Sequence, residues 1–119
     1  MKTATLLDAP APTFGAHPAN GTVRRCALHP DELARHRVIS ADGYEVVVTT
    51  VHAEHGVWLT GAYPVQQSYL VMICQPYFEV RSATEEAAAE QHEGLVRTLA
   101  DAGVAIVRAR RRLAARRAA

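Results

Sequence analysis

The chain has 119 residues, 49% of them hydrophobic and 21% charged, with a formal net charge of +1 at pH 7. This balance is that of a globular chain and not a disordered one, and two cysteines, Cys26 and Cys74, do not form a disulfide framework. No apolar run approaches the ~20 residues that span a bilayer, and a start with one cation, two leucines and then Asp8 is a poor secretory signal, so the expected setting is a reducing cytoplasm with no membrane partner.

Residues 1–22 hold Pro10, Pro12, Pro18, Gly15 and Gly21 among small residues without periodicity, which predicts a flexible leader. Residues 22–28 read as a short strand or an extended approach to the domain. Residues 29–36 read as a short helix, because Pro30 suits a first helical position, Asp31 and Glu32 suit the positive end of the dipole, and Arg35 and His36 suit the negative end. A turn at Ala41-Asp42-Gly43 precedes the strongest strand, residues 44–51, in which Tyr44, Val46 and Val48 share one face and Glu45, Val47 and Thr49 the other. Residues 52–56 form a hairpin loop, and 57–60 return. A second loop, 61–67, contains Pro64 and should leave Tyr63 exposed. Residues 68–74 are apolar on both faces, as in an inner strand. After a turn at Gln75-Pro76, residues 77–81 alternate, with Phe78 and Val80 facing in and Glu79 and Arg81 facing out.

A long helix opens at Ser82, which stands at capping-box spacing from Glu85. Ala88, His92, Leu95, Leu99 and Ala102 recur at spacings of three and four and form one stripe that should lie on the sheet. Gly94 interrupts this helix at a cost of about 1 kcal/mol relative to Ala. Asp101-Ala102-Gly103 reads as its C-terminus. Residues 104–107 have two readings: an edge strand after that cap, or a continuation of the helix in which Ile106 and Leu113 extend the stripe. The predicted architecture is α+β. An antiparallel sheet of about four strands packs on one long C-terminal helix, with a leader (1–22), a single domain (23–107) and an Arg-rich tail (108–119). The sheet's far face carries Val47 and Val51, with Leu70 and Met72, which the leader or a second copy of the chain would cover.

The tail concentrates the charge. Arg108, Arg110, Arg111, Arg112, Arg116 and Arg117 stand there without an acid, so the rest of the chain keeps seven cations against twelve acids, a net charge of −5. Such polarity points to an anionic partner. Six arginines without a base-reading motif support weak, non-specific nucleic-acid binding. Cys26, His29, His52 and His55 form two pairs of metal-ligand type, though each histidine is also explained as a surface residue of a helix start or a hairpin loop. His92 lacks an obvious partner carboxylate and cleft, Cys74 reads as a core filler, and phosphate loops and nucleophile elbows are absent. The expectation is a non-enzymatic binding or accessory protein without catalytic residues or cofactor. It would act on a protein partner or its own twin, with nucleic-acid binding through the tail as the alternative and a small metal- or histidine-dependent enzyme as the remoter one. The aromatics Trp58, Tyr69 and Phe78 are expected in the core.

Val48-Thr49-Thr50-Val51, then Leu70-Val71-Met72-Ile73, then Ala83-Thr84-Glu85-Glu86-Ala87 with His92-Glu93, resemble in order the V-S-T-V, E-T-M-V-F and A-T-x-E-E-A-x-x-x-H-E motifs of small uncharacterised proteins of actinobacteria and their phages. Leu70 and Val71 replace the acid and threonine of that pattern. The resemblance covers residues 44–96 and implies a phage or prophage setting and shared architecture, with no activity to carry over.

Overall fold

The computed structural model describes residues 19–66, 69–70 and 76–118. Six strands, β1 (Val23–Arg25), β2 (Glu32–Ile39), β3 (Glu45–His52), β4 (Trp58–Gln66), β5 (Tyr69–Leu70) and β6 (Phe78–Ser82), are followed by two helices, α1 (Glu85–Asp101) and α2 (Val104–Ala118). Every strand pairing is antiparallel, in the order β1-β2-β3-β4-β6, and two-residue β5 adds to the last residues of β4. The molecule is therefore α+β, with a sheet covered on one face by both helices.

The packing follows the periodicity of each element. Val38, Val46, Val48 and Ala62 from three adjacent strands meet Leu95 and Leu99 of α1 and Val104 and Val107 of α2. Val23, Tyr77, Phe78, Val96 and Ala100 pack around that cluster. Each fully buried aliphatic side chain of this kind contributes about 1.5–3 kcal/mol. The stripe Ala88, His92, Leu95 and Leu99 is buried as its spacing predicts, whereas Ala102 is the C-cap and exposed.

Several elements differ from the sequence reading. Residues 29–36 are not a helix: from Glu32 the chain is β2, paired on both sides with β1 and β3. Alternation from Ala34 to Val38 sends His36 and Val38 toward the helices and Arg35 and Arg37 away, and two ladders of backbone hydrogen bonds outweigh end signals spread over eight residues. Residues 61–66 are not a loop but the second half of β4. Pro64, which has no amide proton, falls between the stretch of β4 that pairs β6 (58–62) and the stretch that pairs β5 (65–66), where a missing donor is tolerated. Tyr63 is consequently only 8% exposed, its ring lying over Gly61, where a Cβ would come within 2.7 Å of it. The cap of α1 is Thr84, whose hydroxyl accepts from the Ala87 amide at 3.1 Å, while Ser82 ends β6 opposite Trp58. Residues 104–107 are neither a strand nor an extension of α1. They open a second helix; among its described side chains Val104 and Val107 are buried, leaving Ile106 and Leu113 at the surface.

The β3–β4 hairpin is as expected, with a single 3₁₀ turn at Glu54–Gly56. The inner strand expected at 68–74 is described only at β5, so Met72 and Cys74 lie outside the described residues, as do residues 1–18 of the expected leader. The described end of that leader is tied down: the Gly21 amide donates to the Ile39 carbonyl at 2.6 Å and the Ile39 amide to Thr22 at 2.8 Å. The far face of the sheet is less bare than its composition suggests, since Val47, Thr49 and Tyr63 are all buried. Arg37 pairs there with Glu45.

Candidate functional site

Helix α2 is rich in Ala and Arg, both strong helix formers. Its start is fixed by a residue far away in sequence. Asp42, in the β2–β3 turn, accepts the Val104 amide on Oδ1 at 2.9 Å and the Ala105 amide on Oδ2 at 3.1 Å, two of the four free donors at the helix start. The Ser40 hydroxyl donates to Oδ1 at 2.6 Å and aims the carboxylate. Burial by itself would raise the Asp42 pKa. The hydrogen bonds from Ser40, Val104, Ala105 and its own amide together outweigh burial and hold the carboxyl below its ordinary value. Gly103 makes this approach feasible: its φ of +104° ends α1, and a Cβ there would lie 2.6 Å from Asp42 Cγ. The Ala41 amide donates to the Leu99 carbonyl at 2.9 Å, so the same turn also holds the end of α1.

Beyond Val107, α2 leaves the core with its charge displayed. Arg108, Arg110, Arg111 and Arg112 are all exposed. Arg111 lies on the same side as Val104 and Val107, one turn further on, and donates to the Pro76 carbonyl at 2.8 Å. Arg110 reaches Thr98 Oγ1 of α1 at 3.4 Å. Arg108 lines a cleft with Asp42, Tyr44 and Tyr77. Arg116 and Arg117 belong to the last turns of the same helix. The six arginines proposed from sequence are thus brought onto one helix with a fixed origin.

A second constellation is a buried polar chain between sheet and α1. His92 Nε2 shares a hydrogen bond with His36 Nδ1 at 2.8 Å, His92 Nδ1 with Thr50 Oγ1 at 2.9 Å, and Thr50 Oγ1 with Thr60 Oγ1 at 2.8 Å. His92 therefore bonds to side chains, with one ring nitrogen donating and the other accepting while it is neutral. Burial, with the neighbouring His36 acting in the same sense and Glu32 in the opposite one, lowers the His92 pKa to about 4. Burial, then Arg25, lowers that of His36. His92 is 4% exposed and both of its ring nitrogens are partnered, so these bonds satisfy polar groups between the sheet and α1.

The four metal-type residues are not brought together. The Cys26 amide donates to the Arg35 carbonyl, the His29 amide donates to Glu32 Oε1 at 2.8 Å, His52 packs on Trp58 with ring centroids 4.5 Å apart, and His55 stands in the 3₁₀ turn. Among the described residues no group of three or more His, Cys, Asp or Glu is placed to hold a metal ion. No helix among them is long and apolar enough to cross a membrane. Phe78 packs on the core as expected, and Trp58 is half-buried at the hairpin end.

Sequence reasoning missed Asp42, His36, Thr50 and Thr60. Asp42 was legible as a turn residue only. The contacts of Asp42 and His36 span 62 and 56 residues, and local spacing carries no signal of either. No protein-family model, curated protein or solved structure matches the chain.

Proposed function

We propose that the protein is a non-enzymatic binding protein that holds nucleic acid through the phosphate backbone with helix α2. The observation carrying this reading is that a helix with six arginines and no acid is anchored by Asp42, Val104 and Val107 and keeps Arg108, Arg110, Arg111 and Arg112 exposed. A helix fixed at one end presents its cations at a spacing of about 1.5 Å of axial rise per residue, so less order is lost on binding than with a free tail. The acidic α1 and the remainder of the body repel a polyanion and direct it to α2. Phosphate contacts carry no sequence information, so binding is non-specific and steeply dependent on salt.

The test is fluorescence anisotropy of a labelled oligonucleotide, duplex or single-stranded, with the full chain between 50 and 200 mM salt. With three to four arginines engaged, log K against log salt falls with a slope of roughly −3 on the duplex and about −2 to −3 on the single strand. Replacing Arg108, Arg110, Arg111 and Arg112 together by Gln removes binding while the helix content by circular dichroism persists. Absence of binding at 50 mM salt, or binding indifferent to those four changes, overturns the proposal.

A further inference from the structure

The structure assigns a second copy of this chain to the groove beside Gly94, with α2 of each copy docked against α1 of the other. Gly94 stands in the middle of α1, where glycine weakens the helix, yet a Cβ there would meet nothing within 4 Å. Gly61 and Gly103 are required by Tyr63 and Asp42, which approach them closely. The isolated chain gives Gly94 no such reason. A glycine facing open space on a helix permits the close approach of another backbone.

That space is the floor of a groove of about 200 Å³ between the helices, walled by Phe78, Gln91, Leu95, Thr98, Val107 and Arg110. Glu90, Glu93 and Arg97 border Gly94 on its other side. Helix α1 carries five acids against one base, whereas α2 carries six bases and no acid. The acids of α1, Glu90 and Glu93 beside Gly94 among them, are opposite in sign to the outer face of α2. Ile106 and Leu113 are 42% and 47% exposed and, seven residues apart, share one stripe opposite Val104 and Val107. Arg110, at the rim of the groove where it reaches Thr98 of its own α1, flanks that stripe and in the dimer is set against the acids of the other copy's α1. Because both surfaces lie on neighbouring helices of the same molecule, one two-fold axis satisfies both at once and closes the assembly as a dimer. Arg108 and Arg112 lie roughly 100° or more around α2 from the stripe, which leaves them free for phosphate. The inference does not rest on nucleic-acid binding, with which it shares Arg110.

Sedimentation velocity of the full chain from 1 to 200 μM tests it. The expected result is a concentration-dependent dimer that weakens as salt is raised. Gly94→Gln places a good helix former into open space, so its melting temperature at concentrations where the chain is monomeric is maintained or raised, while dimerisation weakens tenfold or more. Leu113→Glu changes an exposed residue and weakens the dimer to a similar degree without unfolding the chain. Glu93→Arg abolishes self-association, and mixing it with a chain bearing Arg110→Glu restores a dimer of one copy of each. A monomer throughout the range overturns the inference. So does a dimer indifferent to Gly94→Gln and Leu113→Glu, which would place the contact elsewhere.

Discussion

Asp42 links two parts of the molecule that sequence treats separately. Its carboxylate closes the start of α2 from a turn 62 residues away, so Asp42→Ala removes a cap and a tertiary contact together. The expected loss is about 1–2 kcal/mol in urea unfolding, accompanied by faster amide exchange at Val104 and Ala105. Because the folded pKa lies below the ordinary 3.8, the charged form is the stabilising one. This contribution is full above pH 3.8 and is lost as pH falls through the lower folded value. His92 acts at higher pH. Its neutral form belongs to the fold, and the groups facing it are His36, Glu32 and, beyond His36, Arg25. With a folded pKa of about 4 against 6.5, the unfolded chain binds more protons between those values, so stability is full above 6.5 and declines down to 4. Urea titrations at pH 7.5 and pH 5 should differ by about 1–2 kcal/mol on this account. His92→Gln should flatten the difference, and an unchanged slope would remove the assignment.

At the scale of elements, what could be read from sequence was what local spacing encodes. The stripe of α1 was legible because Ala88, His92, Leu95 and Leu99 recur with the period of a helix whatever they touch. Strand β3 was legible because Val46, Val47 and Val48 suit a pleated layer buried on both faces. Strand β2 was not, because Pro30, Asp31 and Glu32 carry the marks of a helix start and only the flanking strands supply the competing hydrogen bonds. The two readings of residues 104–107 both missed the break between the helices. Gly103 signalled an end to α1, but the restart depends on Asp42, whose approach no local pattern records. The arginines of the candidate site were visible from composition. That they stand on an anchored helix was not, because the anchor is a long-range contact.

The whole molecule is polarised, with an acidic body and a basic helix, and its arginines divide by what they touch. Arg110 and Arg111 reach Thr98 Oγ1 and the Pro76 carbonyl, so they hold α2 against the body as well as carrying charge. Among the described residues, Arg108 and Arg112 make no hydrogen bond or ion pair, and both are exposed. The pairs should therefore separate stability from binding. Arg108→Gln with Arg112→Gln leaves urea stability within about 0.5 kcal/mol of the parent, as expected of surface changes without partners. The same pair lowers the salt slope of nucleic-acid binding by about 2, close to 0.9 for each phosphate contact removed. Arg110→Gln with Arg111→Gln lowers the slope by a similar amount but also costs about 1 kcal/mol of stability, since two hydrogen bonds to the body go with the charges. Measuring both quantities on both variants tests the division. Equal stability losses would mean that the cations outside the contacts also support the fold, and equal binding with no change in slope would mean that α2 is not where phosphate is held.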